Sequence, residues 1–68
     1  MTAEITVNGE PRPLGSAETL AALLSEMGLG EVRLAAELNG AVVPRDQHAE
    51  TPLRAGDAVE LVTFVGGG

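Results

Sequence analysis

The sequence ends in three glycines, Gly66, Gly67 and Gly68, that follow an apolar segment directly, without a polar linker. Glycine has no Cβ atom, so such a tail can enter a narrow channel and lie against the backbone of a partner protein. When extended, three residues reach about 10 Å beyond the preceding strand. We therefore expect these glycines to be a flexible tail that binds inside a partner.

The chemistry that this tail offers is that of the Gly68 carboxylate. A free α-carboxylate is anionic at neutral pH and resists nucleophilic attack. It reacts only after conversion to a derivative with a better leaving group, such as an acyl-adenylate made with ATP, and sulfur can then replace an oxygen to give a thiocarboxylate. The chain has no phosphate-binding loop of the GxxxxGK[ST] type, so a separate activating enzyme would be required.

The side chains offer little other chemistry. The sequence has no cysteine and one histidine, His48, which we expect to be a surface residue in a polar loop rather than a base or a metal ligand. Arg45 is predicted either to contact an acidic partner or to be a solvated turn residue or part of a local ion pair. Because no nucleophile, carboxylate pair or cofactor motif is present, we expect neither an enzyme nor a bound cofactor.

Length and charge limit the remaining functions. With 68 residues the chain forms a single small domain, without room for a core and a deep substrate cavity. Its net charge of −6 repels nucleic acid, and Phe64, the only aromatic residue, provides no stacking platform. The acidic surface either steers the chain towards basic partners or keeps it soluble. The first ten residues lack a signal-peptide pattern and no apolar run reaches ~20 residues, so we expect a cytoplasmic protein without membrane contact.

Alternating polarity and turn residues predict five strands. Two Asn-Gly pairs, Asn8-Gly9 and Asn39-Gly40, are typical of type I′ hairpin turns. Pro11 and Pro13 place the second strand at a sheet edge, because proline donates no ladder hydrogen bond. The predicted strands cover residues 4–7, 10–14, 34–38, 41–43 and 58–65.

One helix is predicted between the second and third strands. Its apolar stripe has the spacing i, i+3, i+4 and i+7 over about three turns. Ser16 is the predicted N-cap, Glu18 lies in the predicted first turn, and Gly28 ends the helix. The stripe consists of Leu20, Leu23, Leu24 and Met27.

The order β, β, helix, β, β, β is that of an α+β layer fold. Among small folds with this order the β-grasp, or ubiquitin-like, fold fits best, with a mixed sheet of about five strands and one main helix. We predict a single domain over residues 1–65 and a tail over residues 66–68.

The last predicted strand has two different faces. One face carries Val59, Leu61, Thr63 and Val65, and the other carries Glu60, Val62 and Phe64. If Leu61 points towards the helix, Val62 and Phe64 are exposed beside the tail and suit docking on an activating enzyme. The alternative is that Phe64 is buried in the core.

The sequence resembles the ThiS family, the ubiquitin-like sulfur carriers of thiamine biosynthesis, over essentially its whole length. The order of the matching stretches and the chain length make the resemblance fairly specific. The stretches are Val7-Asn8-Gly9, Leu38-Asn39-Gly40-Ala41-Val42-Val43-Pro44-Arg45, Thr51-Pro52-Leu53, Gly56-Asp57-Ala58-Val59-Glu60-Leu61-Val62 and Gly66-Gly67-Gly68.

This resemblance implies a mechanism and partners. Gly68 matches the reactive residue of the family and Gly67 its penultimate glycine. A ThiF-like adenylating enzyme would activate the Gly68 carboxylate with ATP and magnesium, and a protein persulfide would deliver the sulfur. The thiocarboxylate would then donate sulfur to thiazole synthase, ThiG, during thiazole formation.

Two alternatives keep the fold but change the function. Carriers of molybdopterin synthesis, such as MoaD, and carriers of tRNA thiolation share the fold and the Gly-Gly ending, although the Val43-Pro44-Arg45 stretch and the short length favour ThiS. The other alternative is a non-catalytic β-grasp module that only binds partners. A residue added after Gly68 would abolish carrier function and leave binding intact.

Overall fold

The computed structural model describes residues 3–64, and residues 1, 2 and 65–68 lie outside this range. The described part contains five strands, one α-helix and one short 3₁₀ helix. In chain order they are β1 (Glu4–Val7), β2 (Glu10–Pro13), α1 (Leu20–Glu26), β3 (Leu34–Leu38), β4 (Ala41–Val43), the 3₁₀ helix (Arg45–Glu50) and β5 (Ala58–Thr63). The predicted tail, residues 66–68, and the last predicted strand residue, Val65, lie outside the described residues.

The strands form one mixed sheet in the order β2-β1-β5-β3-β4. β5 lies at the centre, parallel to β1 and antiparallel to β3, and the two hairpins are antiparallel. The proline-containing β2 is an edge strand, as predicted. The mixed five-stranded sheet with one main helix confirms the predicted β-grasp architecture.

Two positive-φ turns close the hairpins. Asn8 has a φ of 52° and Asn39 a φ of 51°, and each is followed by a glycine that also has positive φ. Type I′ turns need positive φ at both central positions, and Asn-Gly supplies it with the least strain. The predicted hairpin turns are therefore confirmed.

The helix begins later than predicted and has seven residues rather than about three turns. Its N-cap is Thr19, whose Oγ1 accepts a hydrogen bond from the Ala22 N–H at 3.2 Å. The prediction of Ser16 as the cap was wrong, since its hydroxyl donates to the Glu26 carboxylate instead. Glu18 precedes the cap and so lies outside the first turn. Gly28, with a φ of 76°, follows the end of the helix as predicted.

The core lies between α1 and one face of the sheet. Leu20, Leu23 and Leu24 of the predicted stripe are buried, whereas Met27 is half-buried at its rim. The sheet contributes alternate residues of its strands. The buried apolar residues are Ile5, Val7, Ala17, Leu20, Leu23, Leu24, Ala36, Leu53, Val59 and Leu61.

His48 is part of this interior rather than of the surface, so the prediction of an exposed histidine was wrong. Its side chain is buried, and Nε2 lies 3.1 Å from the Val43 carbonyl oxygen. The 3₁₀ helix, which packs against α1, carries it inward. A carbonyl oxygen can only accept a hydrogen bond, so the contact has Nε2–H as its donor, and His48 links the 3₁₀ helix to β4.

The only α-helix described within residues 3–64 has seven residues, and none of the described helices is long and apolar enough to cross a membrane.

Truncation of Leu23 tests the core. The Leu23→Ala variant removes a fully buried side chain, and its free energy of unfolding should fall by roughly 2–5 kcal/mol. The control is Val42→Ala, which shortens a side chain that is 71% exposed and should change stability by less than about 0.5 kcal/mol. Urea unfolding followed by circular dichroism measures both. Equal losses in the two variants would contradict this assignment of the core.

Candidate functional site

The candidate site is the end of β5, the strand that leads into the predicted glycine tail. β5 has neighbours on both sides, and its pairing with β3 runs from Val59 to Thr63. The Phe64 N–H extends that side of the ladder by donating to the Arg33 carbonyl at 3.2 Å. The backbone is therefore fixed up to Phe64. Gly66, Gly67 and Gly68 lie beyond the described residues, and their roles stay predictions.

Asn8 holds β5 from the β1 side. Its side-chain Oδ1 accepts a hydrogen bond from the Leu61 N–H at 2.7 Å, and its own N–H donates to the Val59 carbonyl at 2.8 Å. The first of these contacts joins residues that are 53 positions apart in the sequence. The asparagine therefore closes a turn and also replaces a ladder partner where β1 ends.

Asn39 holds the start of β5 from the β3 side. Its N–H donates to the Ala58 carbonyl at 2.7 Å, and its Oδ1 accepts from the Ala58 N–H at 2.9 Å. Its Nδ2 donates to Asp57 Oδ1 at 3.1 Å, and Asp57 Oδ2 in turn accepts from the Arg54 N–H. The sequence identified both asparagines only as turn residues. Their reach to β5 was missed, because it depends on the strand order.

Val62 and Phe64 are exposed near the end of the described residues. Val62 is on the sheet face that α1 does not cover and is 60% exposed, and Phe64 is 64% exposed. The interpretation of Phe64 as core was therefore wrong: β5 places Leu61 inward and Val62 outward, and Phe64 follows the last strand residue. Their role in docking stays a prediction.

The same outer face carries negative charge. Glu37 of β3 lies directly opposite Glu60 of β5, two residues before Val62, and Val42 lies opposite Glu37 on its other side. Like charges in a cross-strand pair are destabilising. A partner that covers this face therefore gains by presenting cationic groups next to an apolar surface.

Arg45 is exposed at the start of the 3₁₀ helix. β4, which precedes it, runs parallel to β5, so both strands finish at the same end of the sheet. With β3 between them, the two strands are separated by two strand spacings, about 10 Å. Arg45 is thus located at the tail end of the sheet but apart from Val62 and Phe64, and its contact with a partner stays a prediction.

Within residues 3–64, no three His, Cys, Asp or Glu side chains are close enough to form a metal site.

Comparisons with known proteins identify the family. The family model described as the ThiS family matches residues 5–68, which includes the whole of β5 and the glycines. This chain belongs to the ThiS family. The predicted ThiS resemblance is thus confirmed, and the match extends through Gly68.

Individual ThiS proteins are similar to this chain in sequence and in structure. The sulfur carrier protein ThiS of Thermus thermophilus is 41% identical over 64 residues, covering 94% of this chain and 98% of that relative. The crystal structure of the thiamine biosynthesis protein ThiS from Geobacter metallireducens has a TM-score of 0.79 and 38% identity. That match covers 96% of this chain and 99% of the other.

Longer relatives carry a different name. A thiazole synthase of Paramagnetospirillum magneticum is 37% identical over 65 residues, and one of Magnetococcus marinus is 38% identical over the same length. Each match covers 96% of this chain but only 20% of the relative. The chain therefore spans about one fifth of these thiazole synthases.

Substitution of Asn8 tests how β5 is held. Asn8→Ala removes the acceptor for the Leu61 N–H and places alanine at positive φ, so stability should fall by about 1–3 kcal/mol. Amide exchange at Leu61 should accelerate more than at Leu23. Asn8→Asp is the matched control, because it keeps an acceptor oxygen and tolerates positive φ. Unchanged Leu61 exchange in Asn8→Ala would contradict the assigned bond.

Proposed function

We propose that this chain is a sulfur carrier of thiamine biosynthesis and that the Gly68 carboxylate is the group that carries the sulfur. The main support is the ThiS-family match, which runs through Gly68. A relative of nearly the same length is named a sulfur carrier protein. The structure adds a physical reason, since the strand that leads to the glycines is paired with a neighbour on each side.

Activation is the first step of the proposed chemistry. The Gly68 carboxylate oxygen attacks the α-phosphorus of ATP, pyrophosphate leaves, and an acyl-adenylate forms. A ThiF-like adenylating enzyme supplies the nucleotide site and magnesium. The carrier is then a co-substrate and contributes no catalytic side chain. A step that consumes ATP supports a cytoplasmic location for this chemistry.

Sulfur transfer is the second step. The terminal sulfur of a protein persulfide attacks the adenylate carbonyl, AMP leaves, and the carrier is joined to the donor through an acyl disulfide. A thiol then cleaves the sulfur–sulfur bond, and this releases the thiocarboxylate together with a disulfide of the donor. The transferred sulfur comes from outside the carrier, since the chain has no cysteine that could supply a persulfide.

Thiazole synthase is the proposed acceptor of the sulfur. Two thiazole synthases contain a stretch similar to this chain, which supports a partnership between the two activities. A glycine tail of this kind can pass through a narrow opening to an enclosed active site, because no Cβ atom meets the walls. Gly66 and Gly67 would lie inside that passage, and Gly68 would reach the reacting atoms.

Docking outside the tail supplies the affinity. Ordering a glycine segment costs about 1–2 kcal/mol of backbone entropy per residue, so contacts elsewhere must offset this cost. Val62 and Phe64 are the exposed apolar residues nearest the tail, and Arg45 adds a positive charge at the same end of the sheet. An adenylating enzyme that covers Val62 and Phe64 would hold the tail in position.

Intact-mass spectrometry tests the carrier chemistry. After incubation with ATP, magnesium, a ThiF-like enzyme and a persulfide donor, the protein should gain the mass difference between sulfur and oxygen. Deletion of Gly68 and addition of an alanine after Gly68 should each abolish the gain. Both changes move the terminal carboxylate away from the residue that matches the reactive glycine of the family. A variant with the added alanine that still gains sulfur would contradict the role of Gly68.

Truncation of the exposed apolar residues tests docking. In the double variant Val62→Ala, Phe64→Ala, the KM for the carrier in the adenylation reaction should rise by about tenfold, because apolar contact area is lost. Val32→Ala shortens an exposed valine outside the sheet and serves as the control, with a KM within about twofold of the unmodified chain. Equal KM values for all three proteins would place the docking surface elsewhere.

A further inference from the structure

The backbone of β5 points its hydrogen-bonding groups alternately to its two neighbours. The backbone N–H and C=O groups of even-numbered residues point towards β3: the Ala58 carbonyl accepts from the Asn39 N–H, and the Phe64 N–H donates to the Arg33 carbonyl. Odd-numbered residues face β1: the Val59 carbonyl accepts from Asn8, and the Leu61 N–H donates to the Asn8 side chain. The Leu61 carbonyl and the Thr63 N–H consequently point to the β1 side.

β1 ends before it reaches these groups. It pairs with β5 only at Ala58 and Val59, and the chain then turns at Asn8 and Gly9 into β2. Asn8 provides the last acceptor on this side, for Leu61. Between residues 3 and 64, no donor or acceptor pairs with the Leu61 carbonyl or the Thr63 N–H. β5 is thus paired on both sides at its start and on one side only at its end.

We infer that this open side of β5, residues 61–63, is a docking edge that pairs with an extended backbone segment of the thiazole synthase that accepts the sulfur. The inference rests on the proposed function, which supplies the partner. An unpaired donor and acceptor at strand spacing are complementary to an extended chain, and the addition of a strand to such an edge is a common mode of recognition.

The position of the docking edge relative to the tail supports this occupant. Gly68 lies five residues beyond Thr63, a distance of about 17 Å when extended. A protein that holds Gly68 in its active site therefore lies close to the end of β5. The docking edge also adjoins Val62 and Phe64, whose exposed side chains extend the contact from the backbone to an apolar surface.

Pairing at the docking edge would direct the tail. One bound strand on the open side and β3 on the other would fix the direction in which residue 64 leaves the sheet. Fewer tail residues would then have to become ordered inside the partner. This geometry favours recognition of the carrier through its main chain, with Val62 and Phe64 adding apolar contact.

The experiment compares proline substitutions on the two open edges of the sheet. Thr63→Pro removes the N–H of the docking edge and leaves the β3 ladder intact, because the Thr63 N–H points away from β3. Val42→Pro is the matched control. Glu37 uses its backbone N–H and C=O to pair with Glu60, so it makes no backbone hydrogen bond with Val42 on its other side. The Val42 N–H therefore points away from β3, at the open β4 edge of the sheet. Thr63→Ala controls for loss of the threonine side chain.

Isothermal titration calorimetry with purified thiazole synthase measures the dissociation constant of each variant, after circular dichroism has verified its fold. Thr63→Pro should weaken binding by about tenfold, the effect of about one lost hydrogen bond and steric blockage. Val42→Pro and Thr63→Ala should stay within about threefold. Equal affinity of Thr63→Pro and Val42→Pro would overturn the inference, as would a Thr63-dependent dimer of the carrier in sedimentation.

Amide exchange provides a second measurement on the unmodified chain. The Thr63 N–H should exchange at least tenfold more slowly in the complex than in the free carrier, whereas the Val42 N–H should not change. Thr63 exchange unaffected by the enzyme would overturn the docking edge. A failure of the proposed carrier function would be seen in a different experiment, as the absence of the sulfur mass gain with the adenylating enzyme. Failure of the docking edge and failure of the carrier function are therefore distinguishable.

Discussion

The pairing of β5 with both of its neighbours is the constraint on which the rest of the structure depends. In the sheet formed by residues 3–64, β1 and β3 are not neighbours, and β5 lies between the two hairpins and pairs with both. Its inward residues, Val59 and Leu61, are buried against the helix layer. The side chains of Asn8 and Asn39 add hydrogen bonds from the two hairpin turns. Under the proposed function, the reactive Gly68 follows a strand whose backbone is held from both sides.

Much of this arrangement could be predicted from local patterns. Alternation predicted where the strands lie, and two prolines predicted that β2 is an edge strand, because a missing N–H is a property of the residue itself. The Asn-Gly pairs predicted both turns, because the tolerance of positive φ is also a property of the residues themselves. The outward position of Val62 followed from the period of two in β5 once Leu61 was placed in the core. At the site, the role proposed for the glycines came from residue type and family resemblance.

Features set by distant parts of the chain could not be predicted. Ser16 and Thr19 are both capable caps, and the choice depends on the segment after the 3₁₀ helix, since Thr19 bridges to Pro52 and Leu20 donates to Thr51. That pairing keeps the chain extended up to Thr19. His48 sits in a polar stretch, and only the packing of the 3₁₀ helix on α1 explains its burial. The reach of Asn8 to β5 likewise spans 53 positions.

The central place of β5 also has a consequence for synthesis. The ribosome makes this strand after both hairpins and the helix, so the emerging chain has two separate halves without the strand that joins them. Non-local pairing of this kind delays folding until the necessary segments are present. The completed sheet consequently marks a chain whose tail-bearing strand has been made. Partners that recognise the folded sheet would thereby avoid truncated chains that lack β5 and the glycines after it.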